Sequence, residues 1–138
     1  MNRLVVVIGL AACGPARAPT PPAPEPVKSQ QINEPGEPVA LEPHLVPGYV
    51  TVVDFWGAHC GACVVVGGML AVGVAREPRV LIRKIDVGDG FTPVAKAYDI
   101  GALPHYRLYD KQQRLRYDLV GNDCLKAPEI ARELAAEP

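Results

Sequence analysis

Aromatic side chains make up only 6% of the chain, and the formal net charge is −1. Both shortages argue against a nucleic-acid or polyanionic partner, which calls for a basic face interleaved with stacking rings. Cysteine is scarce as well. Four cysteines, at 13, 60, 63 and 124, are too few and too unevenly spread to staple a disulfide scaffold. The amino-terminal apolar run, Leu4 to Ala12, is far too short to cross a bilayer as a helix. No internal repeat is visible, and 138 residues leave room for one folded domain.

Proline, by contrast, is concentrated. Ten of the fifteen fall within residues 14–47, among Ala, Glu and Ser. Proline-rich chain favours an extended, solvated conformation and cannot build a core. Residues 13–47 therefore read as a linker, with His44 solvated in it and a short ordered piece around Val39 to Leu45 at most. Ahead of it, Asn2-Arg3 and the apolar run make residues 1–12 an export signal. That run closes with Leu10-Ala11-Ala12-Cys13, which resembles the lipobox of bacterial lipoproteins. The resemblance implies removal of the signal and acylation of Cys13, hence a lipid anchor in the cell envelope. Gly14 in place of aspartate implies the periplasmic face of the outer membrane, if the host is Gram-negative. A plain secretory signal is the competing reading of the same run, and a Cys13–Cys124 pair then becomes possible.

From residue 48 to 138 the pattern is that of one α/β domain. Val50 to Trp56 is a continuous apolar strand, as expected of a sheet covered on both faces. Residues 61–76 follow as a helix, although Val64, Val65, Val66, Gly67, Gly68, Val72, Gly73 and Val74 have poor helix propensity. The expectation is that its apolar side chains are buried. A second strand runs from Arg79 to Val87. Thr92-Pro93 has the composition of an N-cap and first helical position for a short helix. Strands from His105 to Tyr109 and Arg114 to Val120 form an antiparallel hairpin, and Pro128 opens a last helix with Ile130 and Leu134 facing the sheet. The order is β-α-β-α-β-β-α, a central mixed sheet flanked by helices.

Cys60-Gly61-Ala62-Cys63 stands where the first strand gives way to the first helix. At a helix start, unpaired N–H groups and the helix dipole favour a Cys60 thiolate. Cys63, one turn in, can attack a mixed disulfide formed by Cys60. Half a zinc site has the same spacing. Asp54 lies among Val52, Val53 and Phe55, so burial should raise its carboxyl pKa and leave it able to exchange a proton near neutrality.

The stretch from Asp54-Phe55-Trp56 to Cys60-Gly61-Ala62-Cys63, with Leu103-Pro104 further on, resembles the thioredoxin family over roughly residues 48–137. The resemblance implies a minimal thioredoxin-like fold and a redox-active Cys60–Cys63 disulfide, with Cys60 as nucleophile and Cys63 as resolving thiol. It implies that Asp54 assists deprotonation of Cys63, that Pro104 is a cis-proline, and that the backbone of Leu103 pairs with substrate; Trp56 and His105, close to the motif and the proline, are expected to contact it too. The expected activity is disulfide exchange with cysteine-containing client proteins and a redox partner that the sequence does not name. The expected protein is a monomer that needs no cofactor. His59, Ala62 and Gly68 depart from the family pattern, which has tryptophan, proline and proline there. His59 and His105 flank the motif and the proline, so a Cu(I) or Zn²⁺ site with Cys60 and Cys63, as in a copper metallochaperone, is the rival expectation. Cys124 is expected to be a small buried residue.

Overall fold

The computed structural model describes residues 21–138; the stretch expected to be an export signal, and Cys13, lie outside them. Five strands form one mixed sheet, β1 (Ser29–Gln31), β2 (Val50–Trp56), β3 (Val80–Asp86), β4 (His105–Tyr109) and β5 (Leu115–Val120), in the spatial order β1-β3-β2-β4-β5. β3 runs parallel to both β1 and β2, whereas β4 is antiparallel to β2 and to β5. Among the described residues the sheet is accompanied by three α-helices, α1 (Gly61–Gly73), α2 (Pro93–Ala97) and α3 (Ala127–Ala136), and by 3-10 turns at Glu42–His44 and Gly121–Lys126.

β2 is central because its apolar residues alternate into two cores. Val50 and Val52 join Leu70 of α1 and Leu134 of α3 on one face. Val53 and Phe55 join Val94 and Ala95 of α2 on the other. A strand flanked by neighbours and covered on both sides has no solvent-facing position, which explains the unbroken apolar run. α2 starts as its residues predict, with Thr92 accepting from the Ala95 N–H and Pro93 in the first turn.

Two expectations need correction. The linker does not extend to residue 47. Ser29, Gln30 and Gln31 pair with Ile82, Arg83 and Lys84 of β3, and Leu41 and Leu45 are buried in the α2-side core. Asn33 both donates to and accepts from the Asp86 backbone. His44 is half-buried, and its carbonyl accepts from Arg83 Nε at 3.2 Å. β1 is too short and polar to show a strand period, so only its pairing partner makes it a strand. The second correction concerns α1. Within the helix only Cys63 and Leu70 are fully buried, while Val64, Val65, Met69 and Val72 are 54–80% exposed. A single helix lying on a sheet can bury one stripe, here Cys63, Gly67, Leu70 and the capping Val74, and among the described residues nothing covers the opposite side.

Candidate active site

Cys60 and Cys63 form a disulfide at the start of α1. Cys60 is the N-cap residue, and its Sγ accepts from the Cys63 N–H at 3.1 Å. The helix start thus supplies a backbone donor to the first sulfur of the motif. The two sulfurs differ in access: Cys60 is half-exposed, whereas Cys63 is 2% exposed. Cys60 lines a shallow groove of about 210 Å³ with Gly57, His59, Gly88, Asp89 and Leu103. The turn before the motif is packed tightly against the opposite loop, since a Cβ on Gly57 would stand 2.6 Å from the Gly88 carbonyl oxygen.

The Leu103–Pro104 peptide bond is cis. Leu103 is half-buried on the groove wall, and Pro104 is buried behind it. The groove continues into a cavity of about 350 Å³ between Asp89-Gly90-Phe91 and Ile100-Gly101-Ala102-Leu103, so Asp89 and Leu103 belong to both. Phe91 is 82% exposed, on a turn held by the Asp89 side chain accepting from the Phe91 N–H.

Asp54 is 1% exposed on the α1 side of β2. Burial pushes its carboxyl up to about 7, with partial opposition from the Lys84 ammonium that faces it across the β2–β3 pair. The Lys84 ammonium also lies over the Trp56 ring, 4.2 Å from its centroid. Trp56 is half-buried and is not part of the wall that Cys60 lines. Cys124 is fully buried, in the helical turns Gly121–Lys126 between β5 and α3, and its thiol donates to the Pro104 and Leu119 carbonyls. Burial raises that thiol to about 11, so it stays protonated and unreactive at neutral pH.

His105 does not join the sulfurs. It is opposite Phe55 in the β2–β4 ladder and meets the Phe55 ring edge-on at 5.8 Å between centroids. Its Nε2 is paired with the Asp118 carboxylate of β5. Side chains alternate across a strand, so His105 falls on the α2 face while Tyr106, opposite Asp54, falls on the α1 face. The expected contact of His105 with substrate or metal is therefore corrected, and only His59 of the two histidines borders Cys60. Among the described residues no group of three or more His, Cys, Asp and Glu is placed to hold a metal ion.

Several site residues went unnoticed in the sequence. Lys84 and Tyr106 reach Asp54 only through strand register, which no local pattern reveals. Phe91 could have been found, because one of only two phenylalanines stands between Gly88-Asp89-Gly90 and Thr92-Pro93, in a turn where an aromatic ring cannot be buried by periodicity.

No family model matches the chain. A thioredoxin of Mycoplasma pneumoniae is 36% identical over 62 residues, which are 45% of this chain and 60% of that protein. The match thus spans less than two-thirds of that relative's length. Among solved structures, the thioredoxin of Malassezia sympodialis superposes with a TM-score of 0.59 at 21% identity, over 80% of this chain and 96% of that one. Mitochondrial thioredoxin 3 from Saccharomyces cerevisiae, in its oxidized form, gives 0.51 at 26% identity over 62% and 78%. The fold is thioredoxin-like.

Proposed function

We propose that this protein is a thiol–disulfide oxidoreductase that exchanges disulfides with cysteine-containing client proteins. The observation that carries this reading is the unequal access of the paired sulfurs, with Cys60 lining a groove and Cys63 buried. In the reducing direction the Cys60 thiolate attacks one sulfur of a client disulfide. A Cys60–client mixed disulfide forms, and the client's other sulfur leaves as a thiolate. Cys63 then yields its proton to the Asp54 carboxylate and attacks Cys60 Sγ. The Cys60–Cys63 bond closes, and the remaining client sulfur departs with the electron pair. The oxidising direction is the same sequence reversed. A carboxyl with a pKa of about 7 can both take up and return that proton near neutrality.

The client chain would lie along Leu103, where an extended segment can meet exposed backbone, with His59 and Asp89 at its edges. The lipid anchor belongs to the same reading. Its support is the Leu10-Ala11-Ala12-Cys13 sequence and the proline-rich stretch behind it. With β1 beginning at Ser29, the spacer from Cys13 is about fifteen residues, a reach of roughly 45 Å at ~3.1 Å per residue. That length keeps the domain close to the membrane of the cell envelope.

Insulin reduction by dithiothreitol, with and without a chelator, tests the activity. Catalysis that survives the chelator is expected, and absence of catalysis overturns the reading. A mature amino terminus other than Cys13 overturns the lipid anchor alone.

A further inference from the structure

The outer side of α1 carries no hydrogen-bonding side chain. Its exposed positions include Val64, Val65, Gly68, Met69, Val72 and Ala75, and no polar residue stands between Cys63 and Arg76. At the helical period these positions fall on one continuous face. The residues that face the sheet, Cys63, Leu70 and Val74, form the other side of the helix. An open apolar face of this kind marks a site of contact with something else.

We infer that this face of α1 docks on the surface of a lipid bilayer, with the helix lying along it. No helix among the described residues is long and apolar enough to cross a membrane, so the contact is made along the surface. The chain enters the domain beside the carboxyl-terminal end of α1. Lys28 Nζ donates to the Glu77 carbonyl, and Glu25 and Pro26 line one cavity with Pro78 and Arg79. Cys13 lies about twelve residues before Glu25, at most roughly 37 Å of extended chain. The helix itself is about 20 Å long. An acyl group on Cys13 therefore keeps α1 within reach of the bilayer, a step that rests on the lipid-anchor reading above.

Cations gather at the same end. Arg76 and Arg79 are exposed, and Arg132 Nη1 donates to the Gly73 carbonyl at 3.1 Å. Glu25 and Glu77 lie there as well. Guanidinium groups beside an apolar face suit a surface of anionic headgroups, where they meet phosphate while the valines enter the acyl boundary. A second copy of the chain fits less well. The patch is on the order of a few hundred Å², short of the roughly 800 Å² that each partner commits to a stable protein pair. It also offers no side-chain donor or acceptor to fix an orientation, which a fluid bilayer does not require. Cys60 caps the other end of the same helix, so docking holds the dithiol near the membrane surface and favours clients whose cysteines lie there.

The test uses the full chain with vesicles of phosphatidylethanolamine and phosphatidylglycerol, with and without lipid brominated on its acyl chains. Mass spectrometry first reads the mature amino terminus. Val72→Trp adds an indole to the outer face of α1. Leu115→Trp adds one on β5, opposite Tyr109 on the α2 side of the sheet. Brominated lipid should remove most of the emission that Val72→Trp adds to that of Trp56, and little of that added by Leu115→Trp. Met69→Trp is a second reporter on the same face and should behave as Val72→Trp does. Equal, weak quenching in all three overturns the docking, even where Cys13 carries the anchor. Strong quenching on α1 in a chain that does not begin at Cys13 upholds the docking and defeats the anchor. A chain that does not associate with the vesicles overturns the docking whatever its terminus. Cross-linked dimers that Val72→Glu abolishes, with Val72→Trp unquenched, give the face to a second copy instead.

Discussion

His105 and Asp54 stand one register step apart in the β2–β4 ladder and on opposite faces of the sheet. That parity separates two chemistries that look equally available along the chain. A histidine beside the proline loop could complete a thiolate metal site only if it shared a face with Cys63. Instead it meets Phe55 and Asp118, while Asp54 lies on the opposite, α1 face of the sheet.

Cys63→Ser should accumulate mixed disulfides between Cys60 and client proteins, because the attack that releases the client is lost. Cys60→Ser should trap none. Non-reducing gels of extracts after acid quenching read the difference; the reverse pattern would exchange the two roles.

Asp54→Asn should stabilise the protein at alkaline pH. The folded carboxyl titrates near 7, above its unfolded value of 3.8, so the folded state holds the extra proton. Stability from this group is full below about pH 4 and falls as pH rises towards 7. The loss approaches 4 kcal/mol in the limit, at about 1.4 kcal/mol per pH unit. Urea unfolding of the oxidised protein at pH 5 and pH 8 should show a larger gain for the variant at pH 8. An equal gain at both values would place the carboxyl in water.

Removal of residues 1–26 should leave the domain's stability unchanged, and removal of residues 1–33 should lower it by several kcal/mol. The longer cut takes away β1 and the Asn33 bonds to Asp86 and leaves the edge of β3 unpaired. Thermal melts of the two truncations decide it. Equal melting temperatures would return the boundary to residue 47.

Val72→Glu should change stability by less than about 0.5 kcal/mol, as a side chain 80% exposed on the outer face of α1 has little packing to lose. Leu70→Ala, two residues away but 1% exposed, should cost about 2–5 kcal/mol. Denaturant midpoints compare them.

The midpoint potential should be more oxidising than that of thioredoxin, about −270 mV. Ala62 keeps an N–H that proline would lack, and His59 can carry positive charge beside Cys60; both favour a thiolate over the disulfide. Trp56 is the only tryptophan, so its fluorescence in glutathione buffers reads the potential. A value at or below that of thioredoxin would refute the argument.

The sequence by itself determined whatever is written in local order. The apolar run of Val50 to Trp56, the Thr92-Pro93 helix start and the Cys60-Gly61-Ala62-Cys63 spacing each depend on neighbours a few residues away, and the strands and helices follow them closely. Only the tertiary structure decided what depends on partners far along the chain. Ser29–Gln31 is a strand because β3 offers an open edge, and no period in three polar residues could announce that. The outer face of α1 is exposed because its sequence is apolar all round and only packing selects the buried stripe. Tyr106 faces Asp54, and His105 does not, because register fixes which of two adjacent residues points to which side of a sheet.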